Sequence, residues 1–267
     1  MKKLSLAIML SISVMILPNS FAVLDDQLVL YLSFDEGKGQ AAKDASKHKN
    51  NGTLHKAGWD KGEYGNAVKL TGDKGGWVEV PDSTSLDITD EITIAHWVYP
   101  TKFTNEWNRI VVKTWKGDTA PWMVYGTYQV GDGNGKTGFI ASVDKGTALS
   151  GTTDEALKDD TWTHMAATYD GKVLKIYYNG ELKMEEKGSG KIDTNDVPVS
   201  IGRNSEGDRE HYAGLIDEVA IWNKALTPAQ IKEAMESVLN SKTTQVEFKN
   251  KLPTHWGQIK GGYIEKE

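Results

Sequence analysis

"TWTHMAATYDGKVLKIYYNGELKMEEKG", residues 161–188, is the stretch that decides the fold. Asp170-Gly171 and Asn179-Gly180 are residue pairs that favour two-residue hairpin turns, because both positions of such a turn need a positive φ. Each pair lies between runs rich in β-branched and aromatic residues, which favour strands. The stretch is therefore predicted to form a three-stranded antiparallel meander.

Short segments with strand character also occur on both sides of this meander. They are residues 28–34, 67–70, 77–80, 91–100, 109–115, 122–130, 137–143 and 197–203. Glycine- and asparagine-rich turns separate them, and no helical spacer intervenes. This pattern predicts an all-β protein, a two-sheet antiparallel jelly-roll sandwich.

One short C-terminal helix is predicted after the last strand. Thr227 can cap it, Pro228 suits the first helical position, and Gln230 completes a capping box. Leu226 and Ile231 have the spacing of a hydrophobic staple across the helix start. The apolar stripe that would pack on the sandwich consists of Ile231, Ala234, Met235, Val238 and Leu239.

The first 22 residues have the pattern of a signal peptide. Lys2 and Lys3 precede an apolar run over residues 4–17, and small residues follow up to Ala22. The run is short for a membrane span, so cleavage is expected, and an uncleaved anchor is the alternative. The predicted organisation is a signal peptide (1–22), a jelly-roll domain (23–240) and a polar tail (241–267). A secreted, periplasmic or cell-surface protein with no membrane span after cleavage is expected.

Composition limits the partners of this protein. There is no cysteine, so no disulfide can stabilise the exported fold. The net charge of −6 becomes −8 without Lys2 and Lys3. The tail carries five lysines and three glutamates, a charge of +2, so the body between has a charge of −10. Such an acidic body argues against nucleic acid and anionic membranes, and it favours cations or neutral polymers as partners.

Asp217 lies in an unexpected place within the last predicted strand. It shares a strand face with the apolar residues Leu215 and Val219, and the opposite face is largely apolar too. A buried carboxylate is costly unless it pairs, binds a metal or takes up a proton. The residue pattern alone leaves these possibilities open.

Five blocks of the sequence resemble a known family. They are "LYLSFDEGKGQAAKDASKHKNNGTL", "YGNAVKLTGDKGGWVEVP", "EITIAHWVYP", "WTHMAATYDGKVLKIYYNGEL" and "GLIDEVAIWNKALTPAQI". In this order they are similar to the bacterial laminin-G-like jelly-roll domains of the concanavalin A-like lectin/glucanase superfamily. The resemblance covers roughly residues 28–235 and supports the predicted fold. Fold alone does not assign a function.

The resemblance implies a structural calcium site. In related jelly rolls, an aspartate at the place of Asp217 binds calcium with oxygens from the N-terminal strand region and from a loop carbonyl. The matching residues here are Asp35 and the carbonyl of Gly65. Calcium takes six to eight oxygen ligands, so carboxylates, carbonyls and waters suit it. The alternative is that Asp217 occupies a bulge or pairs with Arg203 or Arg209.

Catalysis is not expected from the sequence. The superfamily includes glycoside hydrolases whose carboxylates follow a Glu-x-Asp-x-x-Glu pattern, and this chain has no such string. Asp87, Asp90 and Glu91 have the wrong spacing, and the adjacent Glu185 and Glu186 would face opposite sides of a strand. A glycoside hydrolase whose acids come from distant segments stays as the least favoured alternative.

Nine tryptophans favour a binding surface for sugars, whose C–H faces pack on aromatic rings. The candidate ligand-binding residues are Trp107 and Trp122, with Tyr128 and Arg203 as companions, whereas Trp97 and Trp162 are expected to fill the core. We therefore expect a non-catalytic, lectin-like module that binds a glycan or polysaccharide. The alternative is a structural or adhesive extracellular domain that contacts protein through the tail around Trp256.

Overall fold

The computed structural model describes residues 26–72, 75–117 and 119–236. The predicted signal peptide, the tail with Trp256, and helix positions 238 and 239 lie outside the described residues. The strands, in chain order, are β1 (Leu28–Leu32), β2 (Ala41–Ala42), β3 (Gly52–His55), β4 (Gly58–Lys61), β5 (Asn66–Thr71), β6 (Trp77–Val80), β7 (Ile92–Pro100), β8 (Arg109–Thr114), β9 (Met123–Gln129), β10 (Thr137–Val143), β11 (Thr147–Thr152), β12 (Thr163–Tyr169), β13 (Val173–Tyr178), β14 (Glu181–Lys187), β15 (Val199–Ile201) and β16 (Ala213–Trp222).

These strands form two antiparallel sheets, which confirms the predicted jelly-roll sandwich. Sheet A has the order β14-β13-β12-β7-β16-β5-β4, and β1 also pairs with β16. Sheet B has the order β11-β10-β9-β8-β15-β6-β3-β2. The predicted meander is β12-β13-β14 at one end of sheet A.

Asn179-Gly180 forms the predicted two-residue turn, because Tyr178 pairs with Glu181. The first hairpin turns instead over residues 170–173, since Tyr169 pairs with Leu174. Gly171, Asn179 and Gly180 all have positive φ, and Asp170 Oδ1 accepts hydrogen bonds from the amides of Lys172 and Val173. Asn179 Oδ1 accepts the amide hydrogen of His164. Local turn chemistry therefore fixes the register of this part of sheet A.

The main core lies between the two sheets and contains alternate residues of their strands. Ile92, Ile94 and Val98 of β7 face Tyr125 and Phe139 of sheet B. His96 is also buried there, with its Nε2 atom 3.0 Å from the hydroxyl of Thr127. The face of each sheet that points away from this core is called its outer face below.

The C-terminal helix, α1, begins at residue 228 and is described to residue 236. Its capping box forms: Gln230 N–H donates to the hydroxyl of Thr227, and Thr227 N–H donates to Gln230 Oε1. Leu226 and Ile231 are buried with Trp222 and Ala95 on the outer face of sheet A. The helix therefore covers this part of the outer face.

None of the helices in the described part of the chain has both the length and the apolar character needed to cross a membrane.

Candidate functional site

Asp217 lies where β16 changes its neighbour within sheet A. The first part of β16 pairs with β5 as far as Ile216, and the last part pairs with β1 from Val219 onward. Between these two parts, β16 forms a bulge against β7. Glu218 lies in the bulge and has a positive φ of 53°. Asp217 is fully buried on the outer face, opposite Trp97. The bulge, one of the alternatives from the sequence, is therefore present.

The predicted calcium residues gather at this bulge. Tyr64 N–H donates to Asp217 Oδ2 at 3.0 Å, so the turn before β5 covers the carboxylate. In the same turn, the carbonyl of Gly65 accepts the amide hydrogen of Gly62 at 3.1 Å. Asn66 N–H, the next residue along, donates to Asp35 Oδ1 at 3.3 Å. The structure thus places Asp35, Gly65 and Asp217 at one corner of sheet A.

A second carboxylate enlarges this acidic corner. Glu218 accepts a short hydrogen bond from the Tyr31 hydroxyl. Burial raises the pKa of Tyr31 well above its usual range, and the negative charges of Glu218, Asp217 and Asp35 raise it further. Arg203 does not pair with Asp217, because its guanidinium lies over Trp77 in sheet B.

The oxygens of the corner suit a hard cation. Carboxylate and carbonyl oxygens keep free lone pairs after accepting one hydrogen bond. No group of three or more histidine, aspartate or glutamate side chains in the described ranges could hold a metal. A calcium ion would therefore depend on no more than two carboxylates together with carbonyl and water oxygens, a mixture that calcium accepts.

A row of rings and guanidinium groups crosses the outer face of sheet B. We call it the aromatic band, and its members are His55, Trp77, Arg203, Arg109, Tyr128 and Trp107. Cross-strand register explains the row, because His55 pairs with Trp77 and Arg109 pairs with Tyr128. Partners in a register share a face of the sheet.

One half of the aromatic band is a continuous stack. The rings of His55 and Trp77 are stacked with centroids 4.6 Å apart. The Arg203 guanidinium carbon lies 3.4 Å from the centroid of the Trp77 ring. The same guanidinium forms an ion pair with Asp208, with 3.7 Å between Nη1 and Oδ1. Such a cation–π contact is favourable by about 0.5–2 kcal/mol, depending on desolvation.

The other half of the aromatic band ends in an exposed ring. Tyr128 is buried, and its ring packs directly on Gly138. A Cβ atom added at Gly138 would lie 2.2 Å from the tyrosine ring. Trp107 packs on Tyr128 with ring centroids 5.5 Å apart, yet 47% of its surface stays exposed. Arg109 lies 5.9 Å from the Tyr128 centroid. Burial raises the pKa of Tyr128 to about 12, although Arg109 opposes this shift, so the hydroxyl is protonated at neutral pH.

Glu210 joins the two halves of the aromatic band. It accepts two hydrogen bonds from Arg109, at 2.9 and 2.8 Å, in a bidentate ion pair that is mostly buried. It also accepts a hydrogen bond from Asn204 Nδ2 at 2.9 Å, next to Arg203 in the chain. A planar, bidentate pair fixes both partners, so the support of the exposed ring is rigid.

The structure brings together three of the four predicted ligand-binding residues. Trp107, Tyr128 and Arg203 belong to the aromatic band, whereas Trp122 is 48% exposed and precedes β9 at the strand end opposite Tyr128. At about 3.3 Å per residue, six residues of β9 separate Trp122 from Tyr128 by roughly 20 Å. Trp122 is therefore not part of the cluster around Trp107.

Sequence reasoning missed His55, Trp77 and Arg109. Trp77 and Arg109 begin predicted strands, and alternation could have placed Trp77 opposite the core residue Val78. The expectation that Trp97 is a buried residue is confirmed. Trp97 is buried on the outer face of sheet A, edge-on to Tyr64 and His164, because its neighbour Val98 takes the inward position. Trp162 is partly buried against Tyr99.

The acidic residues considered for catalysis pair with separate lysines. Asp90 contacts Lys191 at 3.0 Å, and Glu91 contacts Lys224 at 2.7 Å. Asp87 lies 3.8 Å from the buried Lys113, and burial raises the pKa of this carboxyl group. All three residues line one small pocket of about 210 Å³, and each carboxylate pairs there with a different lysine.

Two antiparallel sheets packed face to face define a jelly-roll sandwich. A family model described as the concanavalin A-like lectin/glucanases superfamily matches residues 71–232, which is more than half of the chain. The chain belongs to this superfamily.

Several solved structures are similar to the chain over most of its length. The binding domain of Paraclostridial Mosquitocidal Protein 1 matches with a TM-score of 0.65 and 18% identity, over 81% of this chain and 53% of that one. Domain 4 of an extracellular arabinanase from Geobacillus stearothermophilus, in complex with arabinotriose, matches with a TM-score of 0.62 and 22% identity. The match covers 78% of this chain and 98% of that domain. The ligand binding domain of botulinum neurotoxin serotype D, in complex with N-acetylneuraminic acid, matches with a TM-score of 0.60 and 20% identity. The match covers 82% of this chain and 53% of that one.

A curated relative matches over a shorter region. The human adhesion G-protein coupled receptor D1 is 36% identical over 75 residues, which is 26% of this chain and 8% of the receptor. The chain therefore spans a small part of this relative and about half of two of the structures above. At identities under 25%, the structural likeness establishes the fold and no more.

Proposed function

We propose that this chain is an exported, non-catalytic carbohydrate-binding module that binds a glycan or polysaccharide on the outer face of sheet B. The observation that carries the proposal is Trp107, a half-exposed indole held against Tyr128. Sugar rings pack their C–H faces on such indoles, and fixed polar neighbours bind the hydroxyls. Arg109 and Glu210 hold this support in place, so little side-chain entropy is lost on binding.

The sugars in the complexes of two structural neighbours agree with this proposal. Arabinotriose and N-acetylneuraminic acid are bound by those proteins, and the acidic body of this chain favours a neutral polymer. Export is proposed from the first 22 residues, and it agrees with the extracellular arabinanase that contains a similar domain.

We also propose a structural calcium ion at the corner formed by Asp217, Asp35 and the carbonyl of Gly65. When bound, calcium would supply positive charge against these oxygens and join the chain after β1 to the turn before β5. Support comes from the burial of Asp217 and from the hydrogen bonds that bring both segments to it. Glu218, held by Tyr31, would add negative charge beside the ion.

The proposed function is tested by incubating the protein without residues 1–22 with a panel of insoluble polysaccharides, with calcium and with chelator. Retained protein and released reducing ends are both measured. We expect retention without new reducing ends, and a loss of at least about tenfold in affinity for Trp107→Ala, equivalent to about 1.4 kcal/mol. Leu182→Ala is the matched control, because Leu182 is equally exposed, at 50%, but lies in sheet A.

Other outcomes would change the assignment. Released reducing ends would replace the binding module with a hydrolase whose acids come from distant segments. Absence of both retention and release would favour the adhesive, protein-contacting alternative, and equal affinities of Trp107→Ala and the unsubstituted protein would move the ligand away from the aromatic band.

A further inference from the structure

A lysine occupies an inward position of strand β8. Lys113 pairs with Val199 of β15 and with Tyr125 of β9, and both partners belong to the main core. Partners in a register share a face of the sheet, so the lysine stem enters the sandwich with them. Lys113 is fully buried, although lysine is almost never fully buried unless it is paired. Its amine therefore needs partners inside the protein.

Two carboxylates lie at this amine. Lys113 Nζ donates a hydrogen bond to Asp82 Oδ1 and another, at 2.9 Å, to the carbonyl of Val197. Asp87 Oδ1 lies 3.8 Å from the same nitrogen. This oxygen is buried and has no hydrogen-bond partner among the described residues. The amine thus contacts one carboxylate directly and has a second carboxyl group beside it.

Burial works against the ionised form of this cluster. When an amine and a carboxylate leave water as ions, the desolvation penalty can exceed their Coulombic attraction. Burial raises the pKa of Asp87, the positive charge of Lys113 opposes this shift, and the negative charge of Asp82 adds to it. Asp87 therefore holds a proton more readily than an exposed aspartate does. A proton donor thus lies beside the contact between Lys113 and Asp82.

The contact between Lys113 and Asp82 also favours amide formation. Groups that one molecule holds in reacting geometry can have effective concentrations of about 10⁵–10⁸ M. Such a concentration is far above that of water, so amide formation can outcompete hydrolysis. The amide is uncharged, and its formation removes both charges from the buried site. Asp82 and Asp87 are partly exposed, so the water that is released can leave.

We propose that Lys113 and Asp82 condense to an isopeptide bond, a covalent amide between the two side chains. The ammonium proton first passes to the Asp82 carboxylate, which leaves a neutral amine and a neutral acid. Lys113 Nζ then attacks Asp82 Cγ, and a carbon–nitrogen bond forms. Protonated Asp87 donates its proton to the departing hydroxyl group, the carbon–oxygen bond breaks, and one water leaves. Asp87 recovers a proton from the new amide nitrogen, so it is unchanged overall.

The bond joins two strands that are not direct neighbours. Asp82 follows β6, Lys113 lies in β8, and β15 pairs with both strands between them. The two residues are 31 positions apart, and closing this loop limits the freedom of the unfolded chain as a disulfide would. The chain has no cysteine, so the amide gives it a covalent constraint that does not depend on redox conditions.

The test is mass spectrometry of the purified, denatured protein. We expect an intact mass that is lower than the mass calculated from the sequence by one water molecule. A protease digest should contain one branched peptide in which Lys113 is joined to Asp82. This peptide is needed because an aspartate before a glycine, such as Asp170, can lose water on its own. Lys116 and Asp196 are the internal control, because their ion pair of 2.7 Å is exposed and their peptides should stay separate.

Two substitutions separate the roles of the three residues. Lys113→Arg keeps the positive charge but removes the amine, since a guanidinium is not deprotonated in proteins. It should restore the full mass and lower the melting temperature by several degrees, whereas the control Lys116→Arg should change neither the loss of water nor the melting temperature. Asp87→Asn keeps the size of the side chain but removes the proton donor, so most of the protein should have the full mass.

The measurement on the unsubstituted protein decides the proposal even if a variant fails to fold. The full mass together with separate peptides for Lys113 and Asp82 would overturn the proposal and leave an ordinary buried ion pair. Loss of water at any other residue pair would overturn it too. A complete cross-link in Asp87→Asn would support the bond but exclude Asp87 as its proton donor.

Discussion

Asp217 and Glu218 lie where β16 stops pairing with β5 and starts pairing with β1, and this switch determines their positions. Regular alternation would place only one of them on the outer face, but a bulge lets the backbone turn between them. The positive φ of Glu218 is unusual for a residue with a side chain. Such a conformation persists only where surrounding contacts hold it, and the Tyr31 hydroxyl and the turn before β5 are those contacts here.

The first prediction concerns the proposed calcium site. Asp217→Asn should lower the melting temperature in calcium by several degrees but change it little in chelator, since only the metal-bound state needs the charge. The measurement is thermal unfolding with and without calcium. Equal losses under both conditions would contradict the metal proposal and indicate that the carboxylate only holds the turn through Tyr64.

The second prediction concerns the support of the exposed indole. Gly138→Ala adds a methyl group that would lie 2.2 Å from the Tyr128 ring, so the ring must move. Overpacking of this kind should lower the free energy of unfolding by about 1–3 kcal/mol and weaken glycan binding with it. Urea unfolding and calorimetry measure the two effects. Unchanged affinity with reduced stability would show that Tyr128 is not needed for binding.

At the scale of elements, local sequence signals act where predicted. The turns of the meander and the start of α1 form from side chains that contact backbone groups a few residues away. Asp44 shows the same principle in an irregular loop. Its carboxylate accepts hydrogen bonds from the amides of Tyr31, Ser46 and Asn50, which fastens the loop after β2 to β1.

The third prediction concerns the start of α1. Thr227→Ala removes the hydroxyl that accepts the amide hydrogen of Gln230. Loss of such a cap should lower the free energy of unfolding by about 1 kcal/mol. Thr227→Ser, which keeps the acceptor, is the control in urea unfolding. If both substitutions cost the same, then the capping bond contributes nothing and the methyl group of Thr227 is responsible.

At the scale of the whole molecule, the sandwich buries two histidines in neutral form. Burial between the sheets lowers the pKa of His96 to about 3, and the nearby His164 contributes to this shift. Burial alone lowers the pKa of His164 to about 4. In both cases the unfolded chain takes up a proton more readily than the folded protein. This stabilisation is therefore complete above the ordinary pKa of 6.5 and is lost as the pH falls.

The fourth prediction follows from these two residues. Between pH 6.5 and about 5, above the range where most carboxylates titrate, the free energy of unfolding should fall by up to about 2.7 kcal/mol per pH unit. His164→Phe removes one of the two groups and should reduce that slope by about half. Urea unfolding at a series of pH values gives both slopes, and identical slopes would exclude His164 as a source of the pH dependence.

The fold and parts of the site could be predicted because their causes are local. Alternating strands, the Asn-Gly turn and the capping box of Thr227 depend on residues a few positions apart, and all of them form. A hairpin also forms at the Asp-Gly pair, although its turn extends over residues 170–173. Trp107 could be recognised as an exposed aromatic because polar neighbours surround it in the sequence. The resemblance to a family added the expectation for Asp35, Gly65 and Asp217.

The rest was decided by tertiary structure, because it depends on which distant strands become neighbours. Trp77 meets Arg203 only because β6 and β15 pair within sheet B, and Trp97 is buried on the outer face because β7 packs its other face inward. Asn108 donates a hydrogen bond to the His211 carbonyl, although the two residues are 103 positions apart in the chain. Alternation shows that a strand has two faces, but only the assembled sandwich determines what each face meets.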